Sequence, residues 1–78
     1  MTLAPGTTVE ALVKLRNHIH PGDYTYTIPG TVQGTNGHDV LVVFPQFLRV
    51  VEYNPFLGED EMHPTTWAWV RQVNCVVM

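Results

Sequence analysis

Several kinds of residue are scarce or absent in this 78-residue chain, and each scarcity excludes a class of protein. The chain has no serine and one cysteine, so it offers no serine nucleophile and cannot form an internal disulfide. Cys75 lies in an apolar run without a neighbouring base to lower its pKa, and we interpret it as a buried strand thiol. The longest apolar run, 40–44, is far shorter than the ~20 residues that cross a bilayer as a helix, so we expect no membrane span.

Charge is also scarce. Asp, Glu, Lys and Arg make up 14% of the chain, against roughly 25% in a typical soluble domain. Four basic and seven acidic residues give a net charge of -3, and no basic cluster could neutralise a phosphate backbone, so we expect no nucleic-acid partner. The N-terminus has neither the basic nor the apolar region of a signal peptide. We therefore expect a soluble, unprocessed, cytoplasmic protein.

Residues that favour strands and turns are abundant. The chain contains twelve Val, nine Thr and two Ile, and it is divided by six Gly and six Pro. β-Branched residues pack well on a pleated surface, whereas Gly and Pro are typical of turns. This composition predicts a single all-β domain over residues 1–78.

The first apolar segment is ambiguous by itself. Apolar and polar residues alternate from Val9 to Arg16, which predicts a half-buried strand. Thr7 and Glu10 also form a possible capping box, so a helix at 7–17 packed on an antiparallel sheet, an α+β fold, stays open as the alternative. We prefer the strand because the remaining β segments need a partner.

The rest of the chain divides at its turns. A loop is predicted at His18–Asp23, followed at Tyr24–Ile28 by either a short strand or the far arm of that loop, which Pro29 ends. Asn36-Gly37 between β-rich runs is a strong hairpin signal. Residues 46–54 fit either a strand or one to two helical turns, residues 54–64 are predicted to form an exposed acidic loop, and a β segment is predicted from 67 to 77.

These features together resemble the SH3-like barrels. The similar elements are Pro5-Gly6 before Val9, Pro29-Gly30-Thr31-Val32, the Asn36-Gly37 hairpin, alternating Val40, Val42 and Phe44, and Trp67 three residues before Val70. The resemblance implies one small barrel of about five short strands. In such modules an aromatic groove binds peptides, and the resemblance would place Tyr24, Tyr26 and Trp67 there.

Glu59 to Pro64 is also similar to a segment of the type II dihydrofolate reductases, which are short SH3-like chains active as tetramers. That family then has Val-Gln-Ile-Tyr to bind cofactor and folate, whereas this chain has Trp67-Ala68-Trp69-Val70. Both the amide and the phenol are missing, so we do not expect reductase activity.

Metal-binding patterns are weak. His18 and His20 would share a face of a strand and could meet other histidines or Cys75 at a zinc site, but paired zinc-ligand motifs are missing. Glu59-Asp60-Glu61 lacks the spacing of a calcium loop and is interpreted as a solvated segment, with a basic partner surface as the alternative. We expect neither a metal nor a cofactor.

Large aromatic side chains are too numerous for so small a core to bury. Trp67 and Trp69 would lie on one side of a strand, opposite Ala68 and Val70. The alternative is that one Trp lies in the core and the loop around Phe56 covers the other. Because Tyr and Trp combine apolar area with a polar group, they commonly anchor binding surfaces. The binding residues that we expect are Tyr24, Tyr26, Trp67, Trp69, Phe47, Phe56, His18 and His20.

The sequence thus predicts a non-catalytic interaction module. It would be an oligomer-forming or accessory subunit, or an inhibitor-type protein, that binds a protein partner or a second copy of itself through an aromatic patch. The alternative function is a small-molecule-binding or catalytic homo-oligomer with its site on the symmetry axis.

Overall fold

The computed structural model describes residues 3–78 as one antiparallel sheet of five strands. The strands are β1 (Thr8–Arg16), β2 (Asp23–Asn36), β3 (Asp39–Asn54), β4 (Glu59–Arg71) and β5 (Cys75–Val77), with a 3-10 helix (Gln72–Asn74) before β5. Their order in the sheet is β4-β3-β2-β1-β5. The described chain contains no α-helix, and the prediction of an all-β fold is confirmed.

Strand β1 resolves the ambiguity of the first apolar segment. All nine of its residues pair with β2, from Thr8 opposite Thr31 to Arg16 opposite Asp23. Val9, Ala11 and Val13 are buried, and the residues between them are exposed. The alternative helix at 7–17 is wrong, because a period of two buries one complete apolar face only in an extended chain.

Three of the strands are longer than the turn signals predict. Pro29 does not end β2 but pairs with Glu10 in β1 and lies exposed within the strand. A proline lacks one ladder donor, yet it keeps the residue before it extended, so the strand continues.

The predicted acidic loop is likewise shorter, because β4 already begins at Glu59. Only residues 55–58 form the turn. There the side-chain oxygen of Asn54 accepts hydrogen bonds from the backbone N–H groups of Phe56 and Leu57, at 2.9 and 3.3 Å. Gly58, with φ of 67°, completes the reversal.

Residues 46–54, which fit either a strand or helical turns by sequence, belong to strand β3. The register between β3 and β4 shifts between Val43 and Leu48. This irregularity bends the two-stranded ribbon formed by β3 and β4. Such bulges increase the local twist and let a long strand curve around a small core.

The hairpin between β2 and β3 is confirmed, with a change of detail. Asn36 is the last residue of β2 and pairs with Asp39, so Gly37 and His38 form the turn. Gly37 has φ of 63°, and no residue other than glycine has a positive φ in the described chain. A single glycine at the first turn position meets the conformational requirement of a type II′ turn.

The predicted C-terminal β segment is interrupted at Gln72–Asn74. The backbone N–H of Gln72 donates to the carbonyl oxygen of His38 at 2.9 Å. Its side chain accepts from the N–H of Leu3 at 3.1 Å and donates to the carbonyl of Gly37 at 3.3 Å. Gln72 therefore ties the N-terminus and the β2–β3 turn to the end of β4.

The core lies inside this bent sheet. Its most buried large side chains are valines from three strands, Val9, Val32, Val40 and Val42. A bridge between Leu15 in β1 and Val50 in β3 brings two non-neighbouring strands together, as in a small barrel. The radius of gyration is 12.5 Å, against about 11.5 Å for a compact domain of this length. This difference indicates that the hairpins extend beyond the core.

Candidate functional site

Two tryptophans form a half-exposed apolar surface on strand β4. Trp67 and Trp69 are 46% and 45% exposed, whereas Ala68 and Val70 between and beyond them are buried at 2% and 6%. This alternation follows from the period of two in β4. Neither indole lies in the core, and Phe56 is 96% exposed and covers neither of them, so the alternative with hidden tryptophans is wrong.

Residues of two neighbouring strands extend this surface. Trp67 pairs with Val43 and Trp69 with Leu41, so these side chains lie on one face of the sheet. Together with Gln33 they line a depression of about 210 Å³. We call these five residues, Gln33, Leu41, Val43, Trp67 and Trp69, the tryptophan face.

Sequence reasoning missed Leu41, Val43 and Gln33 as parts of this surface. The alternation of Val40, Val42 and Phe44 could have indicated that Leu41 and Val43 lie on the opposite face. Gln33 and Val43 also line an adjoining depression of about 380 Å³ that reaches Pro29 and Pro45. The apolar surface therefore continues past the tryptophans toward β2.

The predicted tyrosines lie elsewhere. Tyr24 and Tyr26 pair with Leu15 and Val13, on the face of the β1–β2 hairpin that carries core residues. The hydroxyl of Tyr24 donates to the carbonyl of Pro21 at 3.3 Å, and that of Tyr26 accepts from the side chain of Asn17 at 3.4 Å. These bonds hold the end of the hairpin, and the structure does not bring the two tyrosines together with Trp67.

The remaining predicted binding residues lie at turns and at the bend. His18 and His20 are exposed in the β1–β2 turn, where the side chain of Asn17 accepts the N–H of His20 at 3.0 Å. Phe47, 76% exposed, lies at the bend of β3, and Phe56 lies at the β3–β4 turn. The eight predicted residues are thus all exposed, but they are divided among several surfaces.

Negative charge is concentrated on the ribbon formed by the end of β3 and the start of β4. Glu52 and Glu61 face each other across the strands. Glu61 accepts a hydrogen bond from Asn54 at 2.9 Å and lies 3.4 Å from the imidazole of His63. A surface ion pair of 3.0 Å joins Lys14 to Asp60. Trp67 adjoins this region, since it lines a further depression together with Glu52 and His63.

Two of the ionisable groups with perturbed pKa values, Arg16 and Asp23, form an ion pair with each other. Arg16 donates to both carboxylate oxygens of Asp23, at 2.9 and 3.3 Å. This hydrogen bonding lowers the pKa of Asp23 and raises that of Arg16. Arg16 and Asp23 are the last paired residues of β1 and β2 before the turn, so their ion pair holds the two strands together there.

Cys75 is half-buried rather than buried, and burial raises the pKa of its thiol. In the described part of the chain, no three histidine, cysteine or acidic side chains are grouped so that they could hold a metal ion. None of the helical residues between 3 and 78 forms a segment with the length and hydropathy needed to traverse a bilayer.

Comparison with protein-family models, with curated proteins and with solved structures finds no match for this chain. Fold and surface together define a small all-β domain with a bent five-stranded sheet and an exposed aromatic face.

Proposed function

We propose that the protein is a non-catalytic interaction module that binds a protein partner through the tryptophan face. The observation that carries the proposal is the pair of half-exposed indoles beside Leu41 and Val43, in a depression that no charged residue lines. A partner can therefore fill this depression without removing water from an ionised group that lines it. Desolvation of unpaired charge is the main cost that opposes such contacts.

The magnitudes favour the indoles as anchors. About half of each Trp side chain is exposed, so a partner would cover ~100 Å² of each ring. At about 25 cal/mol per Å², this gives ~2.5 kcal/mol per indole before the entropy of association is subtracted. Two adjacent anchors of this size are comparable to the few residues that dominate measured interfaces.

The total surface is also large for a monomer. The accessible area is 5244 Å², against ~4800 Å² expected for a chain of 8.8 kDa. Exposed apolar side chains such as Tyr53, Phe56 and Leu57 at the β3–β4 turn contribute to this area. This supports a role in which the surface is covered by another molecule.

We further propose that the fold is an SH3-like barrel. The five antiparallel strands, the hairpin loop after β1, the tight turn at Gly37 and the bridge of Leu15 to Val50 support this assignment. Fold alone does not assign a function, so the proposal of an interaction module depends on the tryptophan face.

The test compares Trp67→Ala and Trp69→Ala with Leu12→Ala. Leu12 is 44% exposed on β1, so its truncation removes a similarly exposed apolar side chain outside the tryptophan face. Circular dichroism first establishes that each variant keeps its fold. Sedimentation velocity then measures self-association, and quantitative affinity enrichment from cell extract measures the retention of other proteins.

Each Trp variant is expected to weaken retention of the partner, or self-association, by roughly tenfold or more, whereas Leu12→Ala leaves both unchanged. Two folded Trp variants that associate and retain proteins as the wild type does would contradict the proposal.

A further inference from the structure

Strand β4 is a long sheet edge with no strand beside it in the described chain. It has 13 residues and pairs only with β3, whereas β5 at the opposite edge has three. An edge of this length presents a row of unpaired backbone N–H and C=O groups. Such rows readily pair with another strand unless the edge is protected.

Most of the protections that natural edges use lie in the first half of β4. Glu59, Asp60 and Glu61 are charged, and Pro64 lacks a backbone donor. Residues 65–70 contain neither a charge nor a proline. The open half of the edge therefore coincides with the strand segment that carries Trp67 and Trp69.

The charges of β4 are complementary to those of a second, antiparallel β4. Three carboxylates lie at its start and Arg71 at its end, so antiparallel pairing brings Arg71 of each copy to the acidic end of the other. When the two strands overlap from end to end, Arg71 lies opposite Glu59 of the second copy. The acidic half of each β4 then lies beside the uncharged residues 65–70 of the other, so no two carboxylates are opposed. Within residues 3–78 neither Arg71 nor Glu59 forms an ion pair.

We infer that a second copy of this chain binds by antiparallel pairing of the two β4 edges, which leaves both tryptophan faces open to a further partner. The inference rests on the proposed function, because the joined sheet places the tryptophan faces of both copies on the same face, one on each side of the two-fold axis. A two-fold axis passes through the middle of β4, near Thr65, and relates two identical contacts. Each contact combines backbone pairing with one cluster of opposite charges.

A pair of charge-reversal variants tests this arrangement. The first variant is Arg71→Glu, and the second combines Glu59→Arg with Glu61→Arg. Either variant by itself places like charges at both ends of the paired strands. A mixture of the two places opposite charges at both ends, so only the mixed dimer satisfies both contacts. Arg49→Glu is the control, because it makes the same charge change at an exposed position on β3, one strand removed from the paired edge.

Sedimentation equilibrium should give a wild-type dimer that weakens as salt is added, since exposed ion pairs are screened. Each charge-reversal variant is expected to dimerise at least roughly tenfold more weakly than Arg49→Glu, and mixing the two variants should restore dimerisation. Circular dichroism shows that the variants are folded.

A strictly monomeric wild type would overturn the inference, as would an equimolar mixture that associates no more than its separate components do. Neither result removes the proposed function, which is decided by the retention of other proteins in the Trp67 and Trp69 variants. Those variants could lose a foreign partner while the wild type stays monomeric, and the proposed function would then stand without β4 pairing.

Discussion

Gly30 is the position where the structure gives the sharpest prediction of stability. It lies buried in β2, opposite Val9. A methyl group added there would meet Cγ1 of Val42 at 2.6 Å, the carbonyl oxygen of Val43 at 2.9 Å and Cδ1 of Phe44 at 3.0 Å. Ordinary contacts of a Cβ atom begin near 3.4 Å. Gly30→Ala therefore requires β2 and β3 to move apart.

The size of the expected loss of stability depends on which of the contacting atoms can move. A side chain such as Val42 can rotate, but the backbone oxygen of Val43 is held in the β2–β3 ladder. Overpacking of a core costs about 1–3 kcal/mol, and a clash that includes backbone belongs at the upper end, so we expect a loss of about 3 kcal/mol. For a domain of this size, that corresponds to a decrease in Tm of roughly 12–24 °C.

Gly34→Ala is the matched control, because it makes the same change in the same strand. A Cβ at Gly34 meets no atom within 4 Å, and neither glycine has a positive φ. We expect this variant to be as stable as the wild type or more stable by about 0.5 kcal/mol, since alanine restricts the unfolded chain. Urea denaturation followed by tryptophan fluorescence measures both. Equal stabilities of the two variants would refute the packing argument.

A double-mutant cycle with Val42→Ala tests the origin of the loss. Removing Cγ1 of Val42 removes the shortest contact, so Gly30→Ala should cost less in that background. Contacting residues typically couple by about 0.5–3 kcal/mol. Strictly additive effects would show that the strain lies elsewhere.

Three further predictions follow from single groups. Asp23→Asn should destabilise the protein at neutral pH, because the lowered pKa of Asp23 means that its ion pair with Arg16 stabilises the fold above the unfolded pKa of about 3.9. The difference in the free energy of unfolding between wild type and variant should disappear as the pH falls below the folded pKa of Asp23. Urea denaturation across that pH range measures it, and a difference that does not change with pH would contradict the reasoning. Val42→Ala, at a fully buried side chain, should lower the free energy of unfolding by about 2 kcal/mol. Val73→Ala, at a side chain that is 88% exposed, should change it by less than about 0.5 kcal/mol; similar effects at both valines would contradict the observed burial. Because burial raises the pKa of Cys75, its thiol should react with iodoacetamide more slowly at neutral pH than free cysteine does, and a reaction as fast as that of free cysteine would contradict this assignment.

The composition and the alternation of apolar residues were sufficient to predict much of this fold. A high content of β-branched residues predicts strands, and a period of two assigns Val9, Ala11 and Val13 to the buried face. The same period correctly separates Trp67 and Trp69 from Ala68 and Val70. These are local properties, because the side chains of an extended chain alternate whatever surrounds it.

The extent of the strands could not be predicted from local signals. Proline indicates an interruption, but Pro29 stays within β2 because β1 pairs with the chain on both sides of it. Glu59, Asp60 and Glu61 belong to β4 for the same reason, since they pair with the end of β3. Pairing partners lie far away in sequence, and their backbone hydrogen bonds override local turn preferences.

The amino-acid sequence alone determined that this protein is all-β, where its main hairpin lies and that both indoles share one side of a strand. Only the tertiary structure decided which side chains surround them. The register of β3 against β4 places Leu41 and Val43 beside the tryptophans, whereas the β1–β2 hairpin carries Tyr24 and Tyr26 to another face. The order of the strands also leaves β4 at the edge. Register and strand order depend on contacts between distant segments, so no window of sequence contains them.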